Sequence, residues 1–332
     1  MKVVSDLSDE ALHEASVISI GNFDGLHLGH QAILRQVVER ARRLRVVPAV
    51  LTFEPHPIRV LAPDAAPRLI STLPQKICLL EEAGIELLFI ARFDMAFAAV
   101  TPGDFIRKYL VGGLHAKALC VGSNFTFGHR QAGTIETLKQ WRHEFEVIEV
   151  PSVSTRGCIV SSTQIRQRIQ DGRVSQACRL LGRWFEIEGR IVAGAGRGRI
   201  ATVPTLNLEP DNELLPNQGV YITRTGMDGG PWVDSITNIG TRPTFGGGAQ
   251  TIETFVLQGS VPGQTATSRL QFLRRLRDER QFDSPPLLRE QIGRDVQAAM
   301  KFFRRLHMNG SECKPEGAAS KSLRNDATIH SN

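Results

Sequence analysis

The chain lacks the features that would tie it to a membrane, a disulfide framework or a nucleic-acid surface. No apolar stretch among its 332 residues is long enough to span a bilayer. The opening Met1-Lys2-Val3-Val4-Ser5-Asp6 brings in acid where a secretory leader carries an unbroken apolar core, so a cytoplasmic protein is expected. The five cysteines, Cys78, Cys120, Cys158, Cys178 and Cys313, lie far apart with no CxxC pair. That spacing argues against a disulfide scaffold and against a cysteine-based zinc site. Aromatic residues make up only 6% of the chain and are not interleaved with basic residues as a base-stacking platform requires. The formal charge of +6 therefore points to phosphate-rich small molecules, not to nucleic acid. Two familiar nucleotide loops are also missing from the first half. No Gly-Lys-Ser/Thr follows its glycines, and no GxGxxG opens its first helix.

What is present is Gly21-Asn22-Phe23-Asp24-Gly25-Leu26-His27-Leu28-Gly29-His30. It follows the apolar run Val17-Ile18-Ser19-Ile20 and precedes the amphipathic Gln31-Ala32-Ile33-Leu34-Arg35-Gln36-Val37-Val38, which reads as strand, glycine-rich turn and helix. Such a turn offers backbone N–H groups and the positive end of a helix dipole to an anion. His27 and His30 are spaced to share one face of the helix's first turn. Imidazoles there suit chemistry in which charge builds on a phosphoryl oxygen. The tetrapeptide His27-Leu28-Gly29-His30 resembles the HxGH signature of nucleotidyltransferases.

Strands then alternate with helices, which predicts a mainly parallel α/β sheet. The second strand ends in Glu54-Pro55-His56-Pro57, a stiff corner where open α/β sheets bind ligands, so Pro55, His56 and Pro57 are pocket candidates. His56 also fits a corner residue satisfied by backbone, and zinc on His27, His30 and His56 is a weaker alternative. Thr72, Pro74 and Gly84 mark a helix start and stop. Asn124 follows the strand Ala116–Gly122 and suits either a ligand contact or a turn. Ser162, Thr163 and Arg166 at a helix start make an anion clamp, or else an ordinary N-cap with a solvated arginine.

After Gly182 the pattern changes to short alternating strands separated by glycine-rich turns, which predicts an antiparallel barrel or sandwich with a boundary near 183. Gly194, Gly196, Arg197 and Gly198 read as a hairpin flap over phosphates, or a flexible tip. Thr205 and Asn207 share one strand face and offer hard oxygens to Mg2+. Asn238 to Phe245 reads as a tight turn stiffened by Pro243. Glu253 shares a strand face with Phe255 and fits a general base, or a solvated strand residue. A basic-ended helix spans Gln291 to Leu306, and the polar segment from Met308 reads as a disordered tail.

Residues 18–182 resemble the N-terminal module of the bacterial bifunctional riboflavin kinase/FMN adenylyltransferases, through GNFDGLHLGH, TFEPHP, VGSNFTFG and VSSTQIR in that order. Residues 185–306 resemble the riboflavin kinase module of the same family, through GxGRG, PTxN, NIGTRPTF and the downstream glutamate. The resemblance implies a Rossmann-like nucleotidyltransferase domain (1–183) and an antiparallel β-barrel kinase domain with a closing helix (184–307). It implies that Gly21 to Gly25, Gly29, His27 and His30 hold ATP phosphates, with Asn124 shaping the site and Ser162, Thr163 and Arg166 acting as a KMSKS-like loop. In the second half it implies that Thr205 and Asn207 organise Mg-ATP, that Glu253 takes the proton from the riboflavin 5′-hydroxyl, and that Arg277 borders the flavin. Riboflavin, ATP, FMN and FAD are the implied substrates and products. The chain departs from the family's pattern at Val203 and Leu206, where the kinase usually has Phe and Ala. Leu206 would add bulk beside the two metal-site residues, which leaves open an impaired kinase. A flavin carrier without catalysis is a further alternative.

Overall fold

The computed structural model describes residues 1–7, 14–192, 205–241, 250–257 and 265–308. The first half is built on six strands, β1 (Lys2–Val4), β2 (Ser16–Ile20), β3 (Val47–Glu54), β4 (Leu87–Arg92), β5 (Ala116–Gly122) and β6 (Glu146–Val150), ordered β1-β4-β3-β2-β5-β6. Every pairing is parallel, as the alternation of strands and helices predicts. All residues of β2 are buried, because a parallel central strand is covered on both faces. From β2 the chain runs to β3 on one side and later returns to β5 on the other. The crevice at their C-terminal ends is the topological switch point of the sheet.

Helix α1 (Leu28–Leu44) buries Leu34, Val37 and Ala41 against the sheet and ends where Arg45 turns left-handed, at φ 56°. Then follow α2 (Pro57–Leu61) and α3 (Leu73–Glu82). Thr72 caps α3 and Gln75 bonds back to its N–H, a capping box that stabilises the helix by about 1 kcal/mol. Next come α4 (Met95–Ala98), α5 (Pro102–Phe105), which continues as a π-helix over Ile106–Gly113, and α6 (Ile135–Lys139). A small hairpin, β7 (Ser154–Thr155) and β8 (Cys158–Ile159), leads into α7 (Ser162–Gln170) and α8 (Val174–Leu181), and Gly182 ends α8 at φ 74°.

The second half is a closed antiparallel barrel of β9 (Phe185–Val192), β10 (Thr205–Pro210), β11 (Gly219–Met227), β12 (Trp232–Thr241), β13 (Gln250–Val256) and β14 (Thr267–Arg277), ordered β10-β13-β12-β11-β14-β9. Closure removes both sheet edges. Helix α9 (Pro285–Met308) lays Ala299 and Phe303 on Val220, Ile222, Ile236 and Leu273. The barrel interior has two ends of different chemistry. Tyr221, Ile239, Ile252, Leu270 and Phe272 fill one. At the other, the Thr225 hydroxyl donates to Ser235 Oγ, and the hydroxyls of Thr223, Ser235, Thr237 and Thr254 are chained at 2.8–2.9 Å. Buried hydroxyls that bond one another avoid the penalty of lost water.

The apolar end of the barrel does not stop at the domain boundary. Ile165 and Ile169 of α7 and Val174, Ala177, Leu180 and Leu181 of α8 form one buried cluster with Phe185, Ile187, Tyr221 and Phe272. The pair α7–α8 closes the barrel's core while belonging in sequence to the first half.

Several local readings are corrected. Asn238 to Thr241 continue β12 and are not a turn, because they pair in register with β13, and Asn238 and Ile239 also with β11; residues 242–249, including Pro243, lie outside the described residues. Leu206 is buried among barrel residues, opposite in strand alternation to Thr205 and Asn207, so it does not crowd them. Cys78, Cys120 and Cys158 are free thiols. Met308 closes α9 rather than opening the tail, and residues 309–332 lie outside the described residues.

Candidate functional site

The loop between β2 and α1 sits at the switch point and carries unusual backbone. Phe23, Gly25 and Leu26 have φ of 48°, 78° and 37°. Strain of this kind survives only where surrounding contacts over-determine it. Asp24, 2% exposed, supplies many of them. Its carboxylate accepts the N–H groups of Ile70 and Ser71 at 3.0 and 3.1 Å and pairs with Arg166 at 2.6 Å. Its carbonyl accepts the Ser162 hydroxyl at 3.0 Å. Gly25 is required by its φ and by Ile70, which would lie 3.0 Å from an added Cβ.

His27 is the N-cap of α1, just before the helix and not within its first turn. Its Nδ1 accepts the His30 N–H at 3.3 Å, which places its own proton on Nε2. The two imidazoles stack at 3.7 Å between centroids and 14° between planes. Gly29 makes room for this, since a Cβ there would stand 3.1 Å from the His27 ring. Phe23 packs on His30 at 5.1 Å. Burial pushes the His27 pKa down to about 4, with Arg183 and Arg166 adding to the effect and Asp24 opposing it. Burial, then His27, Lys76 and Arg183, pushes His30 well below the usual histidine range. Both rings are neutral at pH 7, and His30 Nδ1 is buried with no hydrogen-bond partner in the protein. The site therefore presents imidazole N–H groups as neutral donors.

This burial has a consequence for stability. His27 has a pKa near 4 when folded against 6.5 unfolded, so protons favour the unfolded chain as pH falls from 6.5 to 4. The stability lost over that window through His27 is about 3 kcal/mol. His27→Asn keeps an N-cap acceptor and removes the titration. Urea unfolding at pH 7 and pH 4.5 is expected to show a smaller loss for the variant than for the parent, and an equal loss would refute the assignment.

The other predicted residues fall around this loop in different ways. Arg166 and Ser162 are engaged by Asp24, and Arg166 Nε also donates to the Arg68 carbonyl at 3.0 Å. The predicted clamp thus braces the loop here, while Thr163 is exposed and Ser161 is the N-cap of α7. His56 caps α2, its Nδ1 accepting the Ile58 N–H at 3.3 Å, so it is a corner residue satisfied by backbone. It still joins the cluster, since the charges of Asp24, Arg166 and Lys76 act on it. The Glu54–Pro55 peptide is cis and Pro57 opens α2. The Gly21 N–H extends the sheet to the Leu51 carbonyl, and the Asn22 carbonyl accepts the Thr52 hydroxyl at 3.4 Å. Asn124 is exposed just past β5.

Two cations escaped the sequence reading. Lys76 is 5% exposed, and burial lowers its pKa against the pull of Asp24 and Glu54. Its signal was available: it lies four residues before Leu80 on the buried stripe of α3, where an ammonium is out of place. Arg183, on the linker after α8, donates to the carbonyls of Gly25 and Leu26 at 2.9 and 3.2 Å. Nothing local in the sequence announces that contact.

On the barrel, β10, β13 and β12 place Asn207, Glu253 and Asn238 side by side in register. All three are half-buried on the outer face, and Thr205 is exposed on the same face of β10. The row offers one carboxylate between two amides, with hydroxyl and amide oxygens alongside. Arg277 makes a two-nitrogen pair with Asp295 of α9 at 2.9–3.0 Å and lies 5.8 Å over Phe282. It pins α9 to the barrel. Gly194, Gly196, Arg197 and Gly198 lie outside the described residues.

Comparison with known proteins matches each half of the chain to a separate family model. A family model described as FAD synthetase matches residues 9–164, and one described as riboflavin kinase matches 181–303. The bifunctional riboflavin kinase/FMN adenylyltransferase of Escherichia coli (strain K12) is 34% identical over 91% of this chain and 98% of its own. That of Bacillus subtilis (strain 168) is 33% identical over 88% and 93%. A crystal structure titled as a macrolide-efflux protein from Streptococcus pneumoniae superposes with a TM-score of 0.83 at 29% identity, covering 90% of this chain and 98% of that one. Transport is said in that title of that protein alone; among the described residues here, no helix is long and apolar enough to cross a membrane. With both halves matched in order and a relative of this identity aligned over nearly its whole length, the chain belongs to the bifunctional riboflavin kinase/FMN adenylyltransferase family.

Proposed function

We propose that the chain phosphorylates riboflavin with ATP on the barrel (184–307) and adenylylates the resulting FMN with a second ATP at the β2–α1 loop (1–183), in the cytoplasm. The observation that carries the reading is the pair of buried, neutral, stacked histidines at a strained loop on the sheet's switch point.

In the second reaction an FMN phosphate oxygen attacks the α-phosphorus of ATP, and the bond to pyrophosphate breaks. The residues of this chain position and stabilise. The neutral Nε2–H of His27 and the partnerless His30 ring donate to phosphoryl oxygens as charge builds there. The N-terminus of α1 and the buried Lys76 ammonium add positive potential. Gly21, Asn22, Phe23, Asp24, Gly25 and Gly29 shape the phosphate loop. Pro55, His56, Pro57, Asn124 and Thr163 form its rim.

In the first reaction Glu253 removes the proton from the riboflavin 5′-hydroxyl as that oxygen attacks the γ-phosphorus of ATP, and the bond from that phosphorus to the bridging oxygen breaks to release ADP. Asn207 and Asn238, on either side in register, orient its carboxylate. The Thr205 hydroxyl and the Asn207 amide oxygen fit Mg2+, a hard cation that keeps most of its ligands from phosphates and water. When bound, Mg2+ neutralises charge on the phosphates. Arg277 acts through α9, holding the wall beside the flavin.

Incubation with riboflavin and MgATP tests the whole reading. FMN followed by FAD and pyrophosphate is expected. FAD formed only from supplied FMN would remove the kinase step, and FMN without FAD would remove the adenylyl transfer.

A further inference from the structure

The strained loop is braced from three directions, and one brace comes from within the segment that the riboflavin kinase model matches. Asp24 is held by Ile70, Ser71, Ser162 and Arg166, all within the first half. The next two carbonyls are held from the domain boundary. Arg183 Nη2 donates to the Gly25 carbonyl at 2.9 Å, and Nη1 donates to the Leu26 carbonyl at 3.2 Å. Gln31 Nε2 also donates to the Leu26 carbonyl, at 2.9 Å, and ties it to the Leu181 carbonyl at 2.7 Å. Arg183 lies inside the range matched by the riboflavin kinase model, 181–303.

A trans peptide aims its C=O and N–H in opposite directions. Pinning the Gly25 carbonyl therefore aims the Leu26 N–H, which closes the turn onto the Phe23 carbonyl at 3.4 Å. Pinning the Leu26 carbonyl aims the His27 N–H and sets the backbone from which the His27 ring projects. A guanidinium fork spans two carbonyls, and an ammonium does not do so with the same geometry. We propose that Arg183 is a positioning residue for adenylyl transfer: through the Gly25 and Leu26 carbonyls, the linker into the barrel holds the histidine loop in its reactive shape.

This inference rests on the reading of the β2–α1 loop as the adenylyl-transfer site. Its second expression is electrostatic. Asp24, Arg166, Arg183 and the stacked His30 surround His27, and His27, Lys76 and Arg183 surround His30. Burial is the main cause that keeps both rings neutral, and within those sets Arg183 is a cation that adds to it.

The test uses full-length Arg183→Met and Arg183→Lys, with His27→Ala beside them. Each preparation is assayed for FMN to FAD and for riboflavin to FMN. Arg183→Met is expected to lose roughly a hundredfold in FAD turnover, the scale of a small misplacement of reacting groups, with riboflavin phosphorylation kept. The acid limb of its FAD pH profile is expected to move to higher pH, because a cation beside His27 and His30 is gone. Arg183→Lys keeps the charge and loses the fork, so it is expected to lose turnover without moving the limb. It also serves as the variant to read should Arg183→Met not fold. Parallel loss of both activities, with no shift of the limb, would make Arg183 a structural junction and overturn the proposal, as would FAD turnover equal to the parent's. Full FAD turnover in His27→Ala would instead overturn the underlying site, which separates the two failures.

Discussion

Glu253→Gln is expected to lower riboflavin phosphorylation by about 10²–10⁴-fold, the range typical of a lost general base, while FMN adenylylation stays at the parent's rate. The amide matches the carboxylate in size and still bonds to polar neighbours, and the Asn207 and Asn238 flanks in register with it remain. The barrel therefore keeps its fold, and the loss falls on proton removal from a primary alcohol, a poor nucleophile until its proton is taken. Quantifying FMN from riboflavin and FAD from FMN in one preparation checks both halves of the statement. A variant that retains the parent's FMN output removes Glu253 from the role of base.

Asp24→Ala is expected to lower unfolding stability by about 3–5 kcal/mol, the scale for breaking a buried ion pair from one side, and to abolish FAD formation. The variant leaves the largely buried Arg166 guanidinium without its carboxylate and the Ile70 and Ser71 N–H groups without their acceptor. It also frees the strained residues Phe23, Gly25 and Leu26 to relax. Denaturant midpoints report the first effect and pyrophosphate release the second. Removing the partner as well, in Asp24→Ala/Arg166→Met, relieves the unpaired charge, so the double variant is expected to be more stable than the sum of the single losses allows. An Asp24→Ala protein with the parent's midpoint would show that the loop does not depend on this hub.

Much of this arrangement was legible in the residues because its causes are local. The apolar runs Val17–Ile20 and Ala116–Gly122 read as strands, Thr72 and Pro74 announced a helix start, and Gly182 marked a stop, since each signal is complete within one turn or one strand. The barrel was readable as a class, from period-two patterns such as Phe185–Val192. What escaped depends on distant partners. Strand β14 alternates apolar Leu270 and Phe272 with arginine and glutamine, and no strand was expected there. Asn238–Thr241 carry glycine and precede proline, so they read as a turn, yet pairing with β13 keeps them extended. Arg166 carried a helix-start signal that suits phosphate as well as Asp24, and only the fold decides which carboxylate comes near. Arg183 meets residues more than 150 positions away, beyond any local pattern.

The pair α7–α8 is claimed by both halves: Ser162 and Arg166 hold Asp24, while Ile169, Val174 and Leu181 belong to the cluster that fills the barrel. This bears on how such genes recombine. A crossover before residue 161 brings in a foreign α7 to meet the resident Asp24 loop, and one after 183 brings in a foreign barrel to meet the resident α7–α8 face. Either joint mixes contacts that were selected together, so chimeras between diverged relatives are expected to recover only when residues on both sides of the helical pair are co-inherited.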